Sequence, residues 1–380
     1  MKENESALFS RYIIDGILQD ATPYELLSEC LAEQDEDPIE PEEYTDILDE
    51  STDPPISSFT YNPKDSDSYI RQISTFEGER SFRILYPETF TRQRIAKALI
   101  DRIWNKGHFK LGNLRIWAEW EWNSKPLGNM AAFYRSVQAT SEYTYDLGCR
   151  IEGWTYDGCD EACSFKVGAW IPDVSGSNEE EDMFKTSPFE SRHAWIEEDR
   201  CCPDTMLPDT DTRLIYIPFD TSALRLGGSL LAELNGHNGG AGPHIQDPDY
   251  FIDCYEVVRE LAEDGFIMSG TAVADGGLAK ALVAICGEYG VEACINGIMS
   301  SYMEDDRTKV LFSEIPGIII QVHESDMDYL DSQLLLQDVA YYPVGRPSVS
   351  FKGVRMAGNP EITVAGILAS LIDMASEGED

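Results

Sequence analysis

The stretch GTAVADGGLAK, residues 270–280, reads as a buried strand running into an Asp-Gly-Gly turn and then a helix. Leu278, Leu282, Ile285 and Tyr289 stripe that helix at a 3.6-residue period. Asp275 stands where an acidic residue caps free helix N–H groups, and Gly276 and Gly277 permit the bend. Such a junction is a place where phosphates settle. Two similar stretches lie on either side. In LGGSLLAEL, Gly227, Gly228 and Ser229 can approach a phosphate or simply pack a turn, and LFSEIPGIIIQV carries Glu314 ahead of a strand. The turn at 275–277 is therefore either a working nucleotide site or the shell of one.

The 380 residues, 42% hydrophobic and 11% aromatic, suffice for two domains with apolar cores. A net charge of −40 repels nucleic acid and anionic membrane, so neither is expected as a partner. No apolar run is long enough to span a bilayer and the start, MKENESALFS, lacks a signal-peptide pattern, so the cytoplasm is the expected setting. Nine cysteines are scattered without a disulfide framework. Cys159 and Cys163 in CDEAC, with Cys201 and Cys202, have no standard zinc spacing, and no metal site is expected.

Residues 1–63 hold 17 Asp/Glu against Lys2 and Arg11, a net of 2 − 17 = −15, and read as an acidic, flexible or loosely attached arm, whose first part, residues 7–33, has enough apolar residues for one or two short helices able to dock a protein partner. Regular structure is expected from about residue 80. SFRILYP is strand-like, Thr91 is placed to cap a helix carrying Ile95, Leu99 and Ile103, and NLRIWAEWEW alternates so that Ile116, Ala118, Trp120 and Trp122 share one face. A helix follows over GNMAAFYRSVQATSEYTYDLG, stopped by Gly148. SRHAWIEEDR and TRLIYIPF read as strands. Asp247 and Pro248 open a helix with Phe251, Tyr255, Val258 and Ala262 on its buried stripe. His237 and His244 flank a glycine-rich loop and read as loop residues. The class is α+β.

The order RIAKALIDRIW, WAEWEW, FYRSVQATSEYTYDLG, TSP, RLIYIPF, LGGSLLAEL, DPDYF, ADGGL and LFSEIPGIIIQV resembles the phosphoribosylformylglycinamidine synthases, over about residues 80–350. The likeness is to the second of the two aminoimidazole-ribonucleotide-synthetase-like modules in the large form of that purine-biosynthesis enzyme. It implies a two-domain module: an N-terminal domain at 64–222 that pairs modules through its sheet, and a C-terminal α/β domain at 223–358. A C-terminal helix and acidic tail follow at 359–380. It also implies ATP, magnesium and an ATP-dependent amide-to-amidine ligation. In the large enzyme two modules build the active site, so a homodimer or a pairing with another synthetase-like module is expected, and ammonia comes from a separate glutaminase that this stretch does not hold.

The family's turn is His-Asp-x-Ser-Asp-Gly-Gly-Leu. Matched here, its first residues become Thr271, Ala272 and Ala274, while Asp275, Gly276, Gly277 and Leu278 persist. The Glu and Asn that help hold magnesium on the family's first helix become Leu99 and Ile103, which offer no oxygen. The family's Lys-Asp-Ser-Met-Ser-Met segment falls near TYDGCDEAC, leaving Asp157 and no lysine, and its Ala-Asn-Trp strand carries Glu119. Glu314 matches the family and is the candidate acid or base. Two functions stay open: a divergent ligase with a degenerate Mg-ATP site, or a non-catalytic scaffold, regulatory or assembly protein that keeps the fold.

Overall fold

The computed structural model describes residues 6–28, 30–31, 43–47, 61–62, 65–78, 80–107, 110–171, 200–237 and 240–357. The expected strand at 191–200 and the expected C-terminal helix and tail at 359–380 lie almost wholly outside these residues.

The Trp-rich segment forms β4 (Arg115–Trp122), flanked by β5 (Arg150–Gly158, parallel) and β6 (Ser164–Trp170, antiparallel). Its alternation is realised as expected: Ile116, Ala118, Trp120 and Trp122 are buried against the helix Asn129–Asp146 and the helix Pro87–Ile103. Gly148 leaves the former helix at φ 68°. The second helix begins at Pro87, so Thr91 lies inside it, and its hydroxyl meets Ser136 Oγ at 2.8 Å instead of capping. The SFRILYP segment is irregular. Phe82 and Tyr86 bury their rings, but the Phe82 N–H donates to the Cys163 carbonyl at 2.7 Å rather than to a ladder.

The larger sheet has six strands in the order β12-β9-β11-β7-β10-β8: β7 Thr212–Pro218, β8 Ser269–Val273, β9 Gly290–Ala293, β10 Gly317–His323, β11 Tyr342–Ser348 and β12 Gly353–Met356. Both faces are covered. Along β10, Ile318, Ile320 and Val322 enter one core and Ile319 the other. The first core runs without a break from the β4–β6 sheet to the helix Pro248–Glu263, whereas the second lies under the helices Gly277–Cys286 and Arg307–Phe312. The boundary expected at 222/223 is thereby corrected. β7, which falls on its N-terminal side, sits between β11 and β10 because its side chains are apolar on both faces, as an interior strand requires.

The expected flexible arm needs a larger correction. Residues 11–14 (β1), 17–18 (β2) and 43–46 (β3) form a small sheet in the order β2-β1-β3, and Ala7, Leu8, Tyr12, Ile14 and Leu27 are buried. Phe9 and Tyr24 pack on Trp154, and Leu31 bridges to Ile151, continuing the β4–β6 sheet past β5. The cause is Asp46, whose carboxylate accepts N–H bonds from Gly128 (2.8 Å), Met130 (2.9 Å) and Ala131 (3.0 Å), the open end of the helix Asn129–Asp146. A run rich in acid can thus hold one buried acid that is structural. Residues 32–42 and 48–60 of the same segment lie outside the described residues.

Candidate functional site

The two glycine turns named from the sequence meet in space. Ser229 caps its own short helix, Leu230–Leu234, accepting from Ala232 N at 3.3 Å. A Cβ on Gly227 would lie 2.2 Å from the Gly240 carbonyl oxygen, and one on Gly277 (φ 62°) would lie 2.6 Å from that of Ser313, so both turns close against backbone. Between them sits Glu314, 3% exposed. Its Oε1 accepts from Leu230 N (2.7 Å) and from Gly276 N (2.7 Å), so one oxygen spans the starts of both helices.

The other oxygen of Glu314 accepts from Arg80 Nη1 at 2.9 Å. Arg80 is the hub of the site. Its side chain, 1% exposed, also donates from Nη1 to Asp275 (2.7 Å), from Nε to Glu233 (3.0 Å) and from Nη2 to the Gly228 carbonyl (2.6 Å). Arg94 donates to the second oxygen of Asp275 at 2.9 Å and lies over the Phe90 ring at 4.7 Å, and Arg83 stands 3.7 Å from Glu233. Charges this deep are tolerated only when paired and hydrogen-bonded, which is the case here. Burial lowers the Arg80 proton affinity, but Glu314 and Asp275 outweigh it and hold the guanidinium charged. Burial likewise works to raise Asp275, yet Arg94 and Arg80 bring it below the usual carboxylate range. Glu314, fully enclosed, is pushed up by desolvation despite Arg80, with the neighbouring Asp275 adding to the rise.

The expected cap at Asp275 is not formed. Gly276 (φ 82°) occupies the cap position with no side-chain bond, and Glu314 takes its N–H. Two charge-assisted bonds to arginine outcompete one bond to an amide for the Asp275 carboxylate. The structure thus brings Gly228, Ser229, Asp275, Gly276 and Glu314 into one cluster, with Gly227 and Gly277 as the close-packed points of their turns. It leaves the other positions elsewhere. Leu99 and Ile103 are buried in the core, Thr271 and Ala272 pair with Ile319 and Ile318 on β10, and Asp157 is exposed on β5. His244 contributes only its carbonyl, to the Ser222 hydroxyl. Cys163 lies beside Phe82 and Cys201 beside Trp104, at opposite ends of a 17-residue helix about 25 Å long, too far apart for one metal. Among the described residues, no three His, Cys, Asp or Glu side chains are grouped to hold a metal ion.

Sequence reasoning missed Arg80, Arg94 and Glu233. For Arg80 the partners stand 148 to 234 residues away, beyond any motif window. One signal was readable: residues 80–102 hold six cations (Arg80, Arg83, Arg92, Arg94, Lys97, Arg102) against Glu88 and Asp101, a basic island in a chain of charge −40.

No protein-family model matches the chain. It is 26% identical over 274 residues to the "Probable phosphoribosylformylglycinamidine synthase, chloroplastic/mitochondrial" of Arabidopsis thaliana, covering 70% of this chain and 18% of that protein. It is 25% identical over 266 residues to the human phosphoribosylformylglycinamidine synthase, covering 67% and 18%. The chain therefore spans less than a fifth of the length of these relatives. Among solved structures, PurLQS from Thermotoga maritima aligns with 78% of this chain and 46% of its own at 10% identity and a TM-score of 0.48. Over some 70% of its length, this α+β chain is similar in sequence to the phosphoribosylformylglycinamidine synthases, as its motifs led one to expect.

Proposed function

We propose that this chain is a phosphoribosylformylglycinamidine synthase-like module of purine-biosynthesis type whose Mg-ATP site is closed from within, so that it is not catalytic alone. One observation carries this. One amide from each turn, Leu230 N and Gly276 N, is already donated to Glu314, and the cation facing that carboxylate is Arg80. The residues present do not fit a magnesium nucleotide. Leu99, Ile103, Thr271 and Ala272 supply no carboxylate oxygen, and the Asp275 and Glu314 carboxylates are committed to arginine and amide donors. A base must offer its lone pair to substrate, and Glu314 is 3% exposed with both oxygens already accepting hydrogen bonds.

The reading gives the chain a scaffold, regulatory or assembly role, with pairing through the outer face of the β4–β6 sheet. That face carries Trp117 between Gly153 and Gly168, Arg115 and Arg150 at one end, and Glu121 and Asp157 at the other. Two copies, or this chain and a second synthetase-like module, set face to face in opposite directions would match basic end to acidic end. Nine free cysteines support a reducing, cytoplasmic setting, and among the described residues no helix is long and apolar enough to cross a membrane. A second reading, an ATP-dependent amidine-forming ligase completed by a partner module, is favoured by the sequence similarity to one stretch of the synthases. The test is ATP hydrolysis by the chain alone with formylglycinamide ribonucleotide, ammonium and magnesium. Turnover no greater than in buffer is expected, and substrate-dependent ADP release abolished by Glu314→Gln would overturn the proposal.

A further inference from the structure

The helix Met327–Leu336 lies across the six-stranded sheet from the ionic cluster. Its Leu330 and Leu334 are buried in the first core, while the helices that start at the cluster pack on the second. Leu335 (73% exposed) and Leu336 (77%) are turned to the opposite side, and Tyr329 (41%) stands seven residues before Leu336 on the same stripe. The Tyr329 ring is fixed there by stacking on Phe266, with centroids 4.4 Å apart. Single exposed apolar residues are ordinary, but a grouped stripe on one helix marks an interaction surface.

The rim of this stripe has one sign. Residues 324–340 hold five acids and no Lys, Arg or His. Asp328 and Asp331 border Leu335 at helical spacing, and Asp338 follows the helix. Glu263 and Asp264, both exposed, stand just before Phe266 on the other flank. Arg213 and Arg346, beyond the start of the helix, are both paired with Glu324, at 2.6 and 2.5 Å. Charge therefore selects the occupant. Residues 358–380 of this chain carry five acids and no cation, residues 172–199 carry nine acids against Lys185 and Arg192, and a second copy brings a net −40. Each of these sets carboxylates against carboxylates, which opposes docking.

We propose that the exposed face of Met327–Leu336 docks an amphipathic helix of a second protein, one whose apolar stripe is flanked by Lys or Arg. The partner's apolar side chains cover Tyr329, Leu335 and Leu336. Its cations meet Asp328 and Asp331 along one side and Glu263 and Asp264 along the other. Apolar burial holds the complex, and the carboxylate rim fixes the sign of the partner and speeds its approach.

The probe is a fluorescein-labelled peptide of leucine and lysine, with leucine at i, i+3, i+4 and i+7, titrated with the full chain and followed by anisotropy. Saturable binding is expected. It should weaken several-fold as salt rises from about 0.01 M to about 0.15 M and the Debye length shrinks from about 30 Å to about 8 Å. Leu335→Ser with Leu336→Ser should weaken it about tenfold, and both sites are exposed, so the fold is retained. A scrambled peptide of the same composition should bind the native chain no better than it binds that double variant. Ile17→Ser with Leu18→Ser, at the exposed apolar pair on β2, should change nothing. Equal binding to the native chain and the Leu335/Leu336 double variant, a loss confined to the Ile17/Leu18 variant, or no saturation below about 1 mM would overturn the proposal. Self-association of the native chain in sedimentation, abolished by Leu335→Ser with Leu336→Ser, would also overturn it by giving the face to a second copy.

Discussion

Two helices of this chain start at a left-handed glycine, Gly128 (φ 90°) before Asn129–Asp146 and Gly276 (φ 82°) before Gly277–Cys286, and neither is capped by its own turn. Each borrows a buried carboxylate from far along the chain, Asp46 in one case and Glu314 in the other. Asp46 gives its oxygens to amides alone: Gly128, Met130 and Ala131 at one helix start, and its own neighbour Ile47. Glu314 divides its oxygens between two helix starts and a guanidinium that also holds Asp275 and Glu233. The first arrangement is an anchor, replaceable by any acceptor of the right reach. The second is a knot in which each charge depends on the others.

The strongest way to break the comparison is Arg80→Met. It leaves Glu314 buried without its cation and removes a partner from Asp275 and Glu233, so a loss of about 3–5 kcal/mol is expected in urea unfolding. Asp46→Ala should cost less, about 2 kcal/mol, because it strands helix amides but no charge. An equal or larger cost for Asp46→Ala would show that the arginine is incidental to the knot. The acid limb sharpens the same point. Asp275 is depressed in the fold, so its stabilisation is present above the unfolded value of about 3.9 and is lost as pH falls through it. Glu314 is raised and has the opposite sign, its penalty growing as pH climbs through about 4.3 toward the folded value. Asp275→Asn should therefore flatten the loss of stability below about pH 4, measured by melting across an acid series. An unchanged acid limb would place Asp275 outside the network. Smallest of all is Ser229→Ala, a local cap on a five-residue helix, at about 0.5–1 kcal/mol.

That order also measures what the sequence discloses. Local devices were readable: the Ser229 turn, the Asp247 cap accepting from Tyr250 N, the Gly148 stop and the alternation of β4 all depend on neighbours a few residues apart. The glycines of both turns could also be named, since the backbone they permit is a local property. The role of Asp275 could not, because a cap and an ion pair use the same carboxylate, and only the fold brings Arg80 and Arg94 within reach. The structured start of the chain was hidden for a related reason. Composition averaged Asp46 with sixteen other acids, and its burial depends on a helix more than 80 residues away.

A cluster that satisfies itself is tested most directly by calorimetric titration of Mg-ATP into the full native chain, beside Glu314→Ala. The native chain should give no saturable heat at ligand concentrations up to about 1 mM, the range of a binding free energy near −4 kcal/mol. A saturable isotherm in the native chain, lost on Glu314→Ala, would contradict it and make the two glycine turns a working nucleotide site.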